Sequence, residues 1–231
     1  MDLPGLQPVG RIVDSVRATL RAAILDGSLP AGSPLSVPEL SRRLQVSRSP
    51  VREALLQMVA DGLAVERPRR GVVVASVAPD DLLQIHEIRE ALEALCARLC
   101  ATRIDKQGLK QLSDILERQS ECVRRDDADG YFDTNAQFHA TIASYSGNPR
   151  LQGILEGLAV QMQMGLREVA SRPDQQRLGL LEHQRVLQAL RSGAAERAEK
   201  LMSSHISDTK ERLMQRLREP VKAPKRRKSA R

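Results

Sequence analysis

From Pro79 to about residue 219 the apolar residues recur every three or four positions with hardly a break. Strand signals vanish over that span. The punctuation is short: residues 103–105 and 125–127, SGNP (146–149), SRP (171–173) and SGA (192–194). The pattern predicts six helices, over 79–102, 105–124, 127–145, 149–170, 173–191 and 194–218. Connections this short make antiparallel neighbours, hence a helical bundle. Its core must be Leu, Ile, Val and Ala, because aromatics are 2 % of the chain: Tyr131, Phe132, Phe138 and Tyr145, with no Trp. The same scarcity argues against an aromatic stacking surface for single-stranded nucleic acid.

The first third reads differently. Ile12, Val13, Val16, Leu20, Ala23 and Ile24 have helical spacing over 12–26, and DGSLPAGSPL (26–35) stops that helix with two Gly and two Pro. SVPELSRRL (36–44) predicts a short helix with Ser36 as N-cap and Pro38 in its first turn. Three residues later SRSPVREAL (47–55) opens another helix, which runs to about Ala60 and ends at the DG pair 61–62. LAVER (63–67) and GVVVASV (71–77) are β-prone, with RPRRG between them, and read as a small hairpin. Short helix, tight connection, second helix, hairpin is the order of a winged helix-turn-helix. The predicted fold is therefore mostly α: a winged helix-turn-helix over 1–76, an all-α antiparallel helical bundle over 77–219, and a basic disordered tail over 220–231.

Charge follows the same division. The net charge is +7, but residues 76–219 carry 20 basic against 22 acidic side chains. The excess lies in residues 1–75, ten against seven, and in the tail, six against none. A basic segment on a near-neutral body suggests a polyanion partner. Cys96, Cys100 and Cys122 are odd in number and lack framework spacing, which fits reduced thiols in a cytoplasmic protein. Cys96 and Cys100 read as small core residues, and Met162 and Met164 as core or pocket lining. No signal-peptide core or membrane-length apolar run stands out, so no membrane partner is expected.

SRSPVREAL places arginines in a first helical turn, where the helix dipole disfavours them. An external anion resolves the oddity. Ser47 or Ser49 can cap the helix, Pro50 is tolerated, and the free amides can receive a phosphate. Arg48 and Arg52 share a face and can reach base edges, where arginine pairs bidentately with guanine. Arg67, Arg69 and Arg70, with Gly71 behind them, suit phosphates or a minor groove. A solvated amphipathic helix would show the same nine residues; the adjoining helix and basic hairpin favour double-stranded DNA.

Residues 20–74, with the VSRSPVREAL core, the DGL after it and the RRG wing, resemble the DNA-binding domain of GntR-family bacterial transcription regulators. The helical remainder resembles the effector domain of the FadR subgroup. Gln45 departs from the glycine usual in the turn, which implies slight strain or a different turn shape. The resemblance implies a homodimer on a near-palindromic operator, more commonly a repressor than an activator, that answers to a small carboxylate.

The histidines are four: His86, His139, His183 and His205. Asn135 and His139 are four apart on one face, and His183 and His205 lie on later helices. Three imidazoles from three helices can converge in a bundle, although spacing alone is weak evidence. The resemblance implies more: Asn135, His139, His183 and His205 match the family's metal ligands one by one, with zinc favoured and nickel or manganese open. The family has Asp or Asn at the position of Asn135, whose neutral amide oxygen, where an aspartate would add charge, would lower affinity for a hard cation. His86 has no counterpart and is left structural. Arg89 matches an arginine that would clamp an effector carboxylate; its other reading is an exposed pair with Glu93. Two further readings remain. One is a three-histidine metal hydrolase, which the lack of an HExxH glutamate, a GxSxG elbow or a phosphate loop opposes. The other is a sensor for which the ion itself is the signal.

Overall fold

The computed structural model describes residues 9–166 and 173–218. The end of the helix expected over 149–170 and the tail 220–231 lie outside the described residues, as does the Met164 side chain. The elements run α1 (Val9–Leu25), α2 (Val37–Leu44), α3 (Arg48–Ala60), β1 (Ala64–Arg67), β2 (Gly71–Val74), α4 (Pro79–Ala101), α5 (Lys106–Arg125), α6 (Ala128–Tyr145), α7 (Pro149–Leu166), α8 (Pro173–Arg191) and α9 (Ala195–Arg218). The fold is mostly α, a winged helix-turn-helix followed by a helical bundle.

In the N-terminal unit α1 turns Val13, Val16, Leu20 and Ile24 toward Leu40 of α2 and Val51, Leu55 and Met58 of α3. The turn between α2 and α3 passes through Gln45 in the left-handed region, at φ 54 and ψ 39. That conformation costs a side-chain-bearing residue about 1–2 kcal/mol. Two bonds oppose the cost: Gln45 N–H donates to Ser41 O, and Ser41 Oγ donates to Val46 O at 2.6 Å. Ser36 and Ser47 occupy the N-cap positions of α2 and α3, but neither side chain makes a capping bond. Proline explains part of this. A capping oxygen needs the N–H of the second or third helical residue. Pro38 removes the second donor of α2 and Pro50 the third donor of α3.

β1 and β2 pair antiparallel from Ala64↔Val74 to Arg67↔Gly71. The strand expected to run to residue 77 stops at Val74, where its partner gives out at the Gly62 turn; Ala75 N–H makes one further bond, to Leu63 O. The other edge of β2 is covered by the loop after α1, through Leu35 N–H to Val72 O at 2.8 Å and Val74 N–H to Ser33 O at 2.9 Å.

The bundle packs α4 along α9, α5 between α6 and α8, and α7 across α4 and α6. Its core holds Leu112, Phe138, Ile142, Val186, Leu190, Met202 and Ile206. Asp105 and Asp127 cap α5 and α6 by accepting from Gly108 N–H at 2.7 Å and Gly130 N–H at 3.0 Å. Cys96 and Cys100 are core residues, and burial pushes their thiols up to about 11 and about 12. Met162 is buried against Leu82, Ile85 and Leu213. No described helix is long and apolar enough to cross a membrane.

α7 joins the two units. Val160, 1 % exposed, belongs to the N-terminal core rather than to the bundle's. Beside it Gln161 Nε2 donates to Asp61 O at 2.9 Å, while Arg17 meets the Asp61 carboxylate at 3.3 Å. Gly62 makes room for this. Its φ is +71, and a Cβ there would stand 2.6 Å from Gln161 Nε2. Gly62→Ala is expected to destabilise the protein by about 1–2 kcal/mol through the left-handed φ alone, while displacing Gln161. A fall in melting temperature of roughly 2–8 °C is the readout, and an unchanged melt would contradict the assignment.

Candidate functional site

The reading helix α3 buries Pro50, Val51, Ala54, Leu55 and Met58, which leaves Ser47, Arg48, Ser49 and Arg52 exposed along the opposite face. The hairpin tip turns through Arg69 at φ 64 and Gly71 at φ 68. A Cβ on Gly71 would meet nothing within 4 Å, so glycine is wanted there for its backbone freedom alone. Arg67, Arg69 and Arg70 are exposed around that tip. None of these five arginines forms an ion pair among the described residues, in contrast to Arg17 and Arg43, which meet Asp61 and Glu39. Unpaired guanidinium groups at a helix start and a hairpin tip leave donors available for phosphates and base edges. The missing serine caps keep the hydroxyls of Ser47 and Ser49 available as well.

Three of the four histidines meet inside the bundle. His139 of α6, His183 of α8 and His205 of α9 bring ring nitrogens within 4.8 Å of one another. His183 Nε2 faces His205 Nε2 at 3.1 Å. Phe138 stacks on His183 with 4.3 Å between ring centroids and fixes its plane. His86 stays apart. It is fully buried, donates from Nδ1 to Leu82 O at 2.8 Å, and is pushed down to about 4 by burial.

Each clustered imidazole has an outer partner. His183 Nδ1 is 2.8 Å from Gln119 Oε1, and His205 Nδ1 is 2.6 Å from Glu182 Oε2. His139 Nδ1 abuts the Glu93 carboxylate. The two carboxylates are themselves held by arginines. Arg89 Nε donates to Glu93 Oε1 at 2.6 Å, and Arg212 grips both oxygens of Glu182 at 2.8 and 2.9 Å. Two Arg–Glu–His chains thus converge on one cluster. Burial pushes Glu93 up, but Arg89 and then His139 outweigh it and hold the carboxyl well below the usual carboxylate range. Burial likewise pushes Glu182 up, and the bonds from His205 and Arg212 bring it down to about 2. For His183 burial is the larger cause and the neighbouring imidazoles the second; both lower it. His205 is lowered by burial against the pull of Glu182. The rings of His183 and His205 are therefore neutral at pH 7 and offer lone pairs rather than charge.

Beside the cluster lies a cavity of about 270 Å³. α4 lines it with Arg89 and Glu93, α6 with Asn135 and His139, and α7 with Leu155 and Met162. Asn135 and His139 thus share a wall, one helical turn apart, as their spacing predicted. Arg89 is 9 % exposed, so its pair with Glu93 is a buried structural pair and not the exposed one that spacing also allowed. From sequence Glu93 stands out only as a partner of Arg89, and Glu182, Arg212 and Gln119 are not singled out. Gln119 carried a signal: it interrupts the apolar stripe Leu112, Ile115, Leu116, Val123 on α5. Arg21 of α1 also lines the cavity, and nothing in its local sequence indicates this.

Without bound metal, the protein should lose stability as pH falls below about 6.5. The unfolded chain protonates His86, His183 and His205 near that value, whereas in the folded chain these groups stay neutral to lower pH, His86 to about 4. Urea midpoints of chelator-treated protein should therefore drop between pH 7 and 4. A flat profile would contradict the burial of these rings.

Comparison with known proteins adds the context. Residues 12–74 match the family described as bacterial regulatory proteins, gntR family, and residues 84–208 match the FCD domain. The HTH-type transcriptional repressor RspR of Escherichia coli is 26 % identical over 210 residues, covering 91 % of this chain and 92 % of that protein. A probable D-xylose utilization operon transcriptional repressor of Paenarthrobacter nicotinovorans is 27 % identical over 196 residues, 85 % of this chain and 86 % of that protein. The solved structure of E. coli McbR/YncC superposes with a TM-score of 0.75 at 26 % identity, covering 89 % of this chain and 98 % of that one.

Proposed function

This chain belongs to the gntR family of bacterial regulatory proteins and carries an FCD domain, and from that premise we propose a cytoplasmic, homodimeric repressor of the FadR subgroup that responds to a small organic acid bound beside a metal ion. DNA binding and transcriptional regulation, not enzymatic turnover, are the work of the family and of its named relatives. The three-histidine hydrolase reading has no counterpart among them.

The reading surface supports a division of labour. Arg48 and Arg52 lie where a recognition helix meets base edges, and Arg67, Arg69 and Arg70 lie where a wing meets the backbone. One such head covers a half-site, so two heads call for a near-palindromic operator. Arg48→Ala and Arg52→Ala are each expected to cost about 1–3 kcal/mol of specific over non-specific binding. Arg69→Ala should weaken both modes alike and flatten the salt dependence. Anisotropy titrations on operator and random duplexes read both effects, and unchanged discrimination in the α3 variants would remove them from the base-reading set.

The observation that carries the metal reading is the approach of His183 Nε2 to His205 Nε2 at 3.1 Å. Gln119 Oε1 and the Glu182 carboxylate accept from the two Nδ1–H groups, so both facing nitrogens carry lone pairs. Two lone pairs at that distance call for a shared Lewis acid. Zinc–nitrogen bonds of about 2.05 Å set ligand nitrogens about 3.3 Å apart at the tetrahedral angle and about 2.9 Å apart at the octahedral one. The observed 3.1 Å lies between, which leaves zinc, nickel and manganese open. His139, His183 and His205 would hold the ion, with Asn135 on the same wall. Asn135 is neutral, so most of the ion's charge would be left for an anionic effector to meet. Bound there, the ion would supply a positive pole for a carboxylate. Arg89, in the cavity wall, would supply the forked partner.

The metal-free alternative turns the Gln119 amide over, so that it donates to His183 and lets His183 Nε2–H donate to His205. Elemental analysis of purified protein separates the two. Stoichiometric metal in the native protein, lost in His183→Ala and in His205→Ala, is the expected result. Retention of metal in both variants, or no uptake by the native protein, would overturn the site. A cavity that runs from His139 and Asn135 to Arg89 favours an acid effector over the ion alone as signal. A thermal-shift screen of small carboxylates on metal-loaded protein tests that point.

A further inference from the structure

Arg21 belongs to α1, within the DNA-reading unit, yet its side chain lines the cavity formed by α4, α6 and α7 of the bundle. It is the sole lining residue that the N-terminal unit contributes. Its guanidinium makes no hydrogen bond or ion pair with the described residues, although five N–H donors are half-buried there. Arg17, one turn earlier on the same helix, is by contrast bound to Asp61 and Gln57. Burial lowers the Arg21 guanidinium from its ordinary value, against the attraction of Glu156. Glu156, however, is exposed and already accepts from Gln152 Nε2 at 2.9 Å. A half-buried guanidinium that lines a cavity, drawn only at a distance by Glu156 and Asp61 and bonded to neither, can take an anion that enters the cavity.

We propose that Arg21 is the second cationic arm of the effector cavity, and that the effector is a small acid with two anionic groups, one met at the Arg89 end and the other at Arg21. The inference rests on the effector reading above and adds the class of ligand. It also gives the ligand a mechanical part. An acid held at both ends ties α1 to α4 and α6, while α1 carries the hydrophobic face on which the reading helix α3 is packed. Arg17 and Asp61 lie at the same junction, where Gln161 of α7 docks. Such an acid binds better when the two units are docked than when they are apart, which is the differential affinity that a regulatory equilibrium requires. An acid with one anionic group lacks the second tie.

The test is calorimetric titration of metal-loaded full-length protein with aliphatic dicarboxylates from malonate to adipate, each against the monocarboxylate of equal chain length. At least one dicarboxylate should bind the native protein tighter than its mate, by on the order of tenfold. Arg21→Gln should abolish that preference, and Arg21→Lys should keep part of it, because charge persists while the fork is lost. Thermal melts of both variants establish that they are folded. Native protein that binds the two acids of every pair equally, or a preference that survives Arg21→Gln, overturns the proposal and leaves the carboxylate effector standing. Native protein that binds no acid of either series overturns both.

Discussion

Glu93 is a carboxylate withdrawn from water into the bundle, and Glu182 is partly withdrawn at its edge. An isolated carboxylate so placed costs several kcal/mol. Each persists as an anion because an arginine faces it on one side and a histidine on the other. The arrangement fixes more than charge. Glu182 accepts from His205 Nδ1, so the ring presents Nε2 inward, and Gln119 does the same for His183. The arginines cancel the carboxylates, and the rings of His183 and His205 stay neutral through burial. With His183 and His205 neutral, these two buried rings avoid the repulsion that two charged ones would suffer, which is what lets an apolar bundle contain them.

The same helices that build the cluster also build the passage to the reading unit. α7 lines the cavity with Leu155, Glu156 and Met162 on one face and docks on the N-terminal unit with Val160 and Gln161 on the next. Residues one apart on a helix point about 100° away from each other. A rotation or slide of α7 within the bundle therefore reaches Asp61 and Gly62 directly, at the end of the helix that carries Arg48 and Arg52. No flexible linker intervenes on that route.

Much of this was legible in the residues. The helices of the bundle follow the apolar spacing to within a residue or two over the described segments. The helix-turn-helix followed from the SRSPVREAL start, the DG stop and the RPRRG tip. Asn135 and His139 could be placed on one face because an i, i+4 pair fixes that whatever surrounds it. Other features depended on surroundings. Arg89 and Glu93 are also i, i+4, but whether such a pair is solvated or buried is decided by what α6 and α7 place over it. Glu182 adjoins His183 in sequence and yet serves His205, because neighbours on a helix diverge while neighbouring helices converge. Ser36 and Ser47 stand at the N-cap positions that the sequence indicates, but their capping bonds are absent, in part because proline removes amides those bonds need. Arg21 could not be found at all: its role exists only once two independently legible units are docked.

The junction itself is weakly held, and that has a consequence for regulation. The Arg17–Asp61 pair lies wholly within the reading unit and adds nothing across the junction. The Gln161 bond to Asp61 O contributes about 1 kcal/mol, and the burial of Val160 about 1.5–3 kcal/mol. A total of a few kcal/mol is comparable with the 1–3 kcal/mol of coupling typical between two sites. A ligand that adds one charged tie across the junction is therefore large enough to redistribute the reading unit between docked and undocked arrangements. Had the units been joined by a continuous aliphatic core, no small molecule in a cavity of this size could have done so.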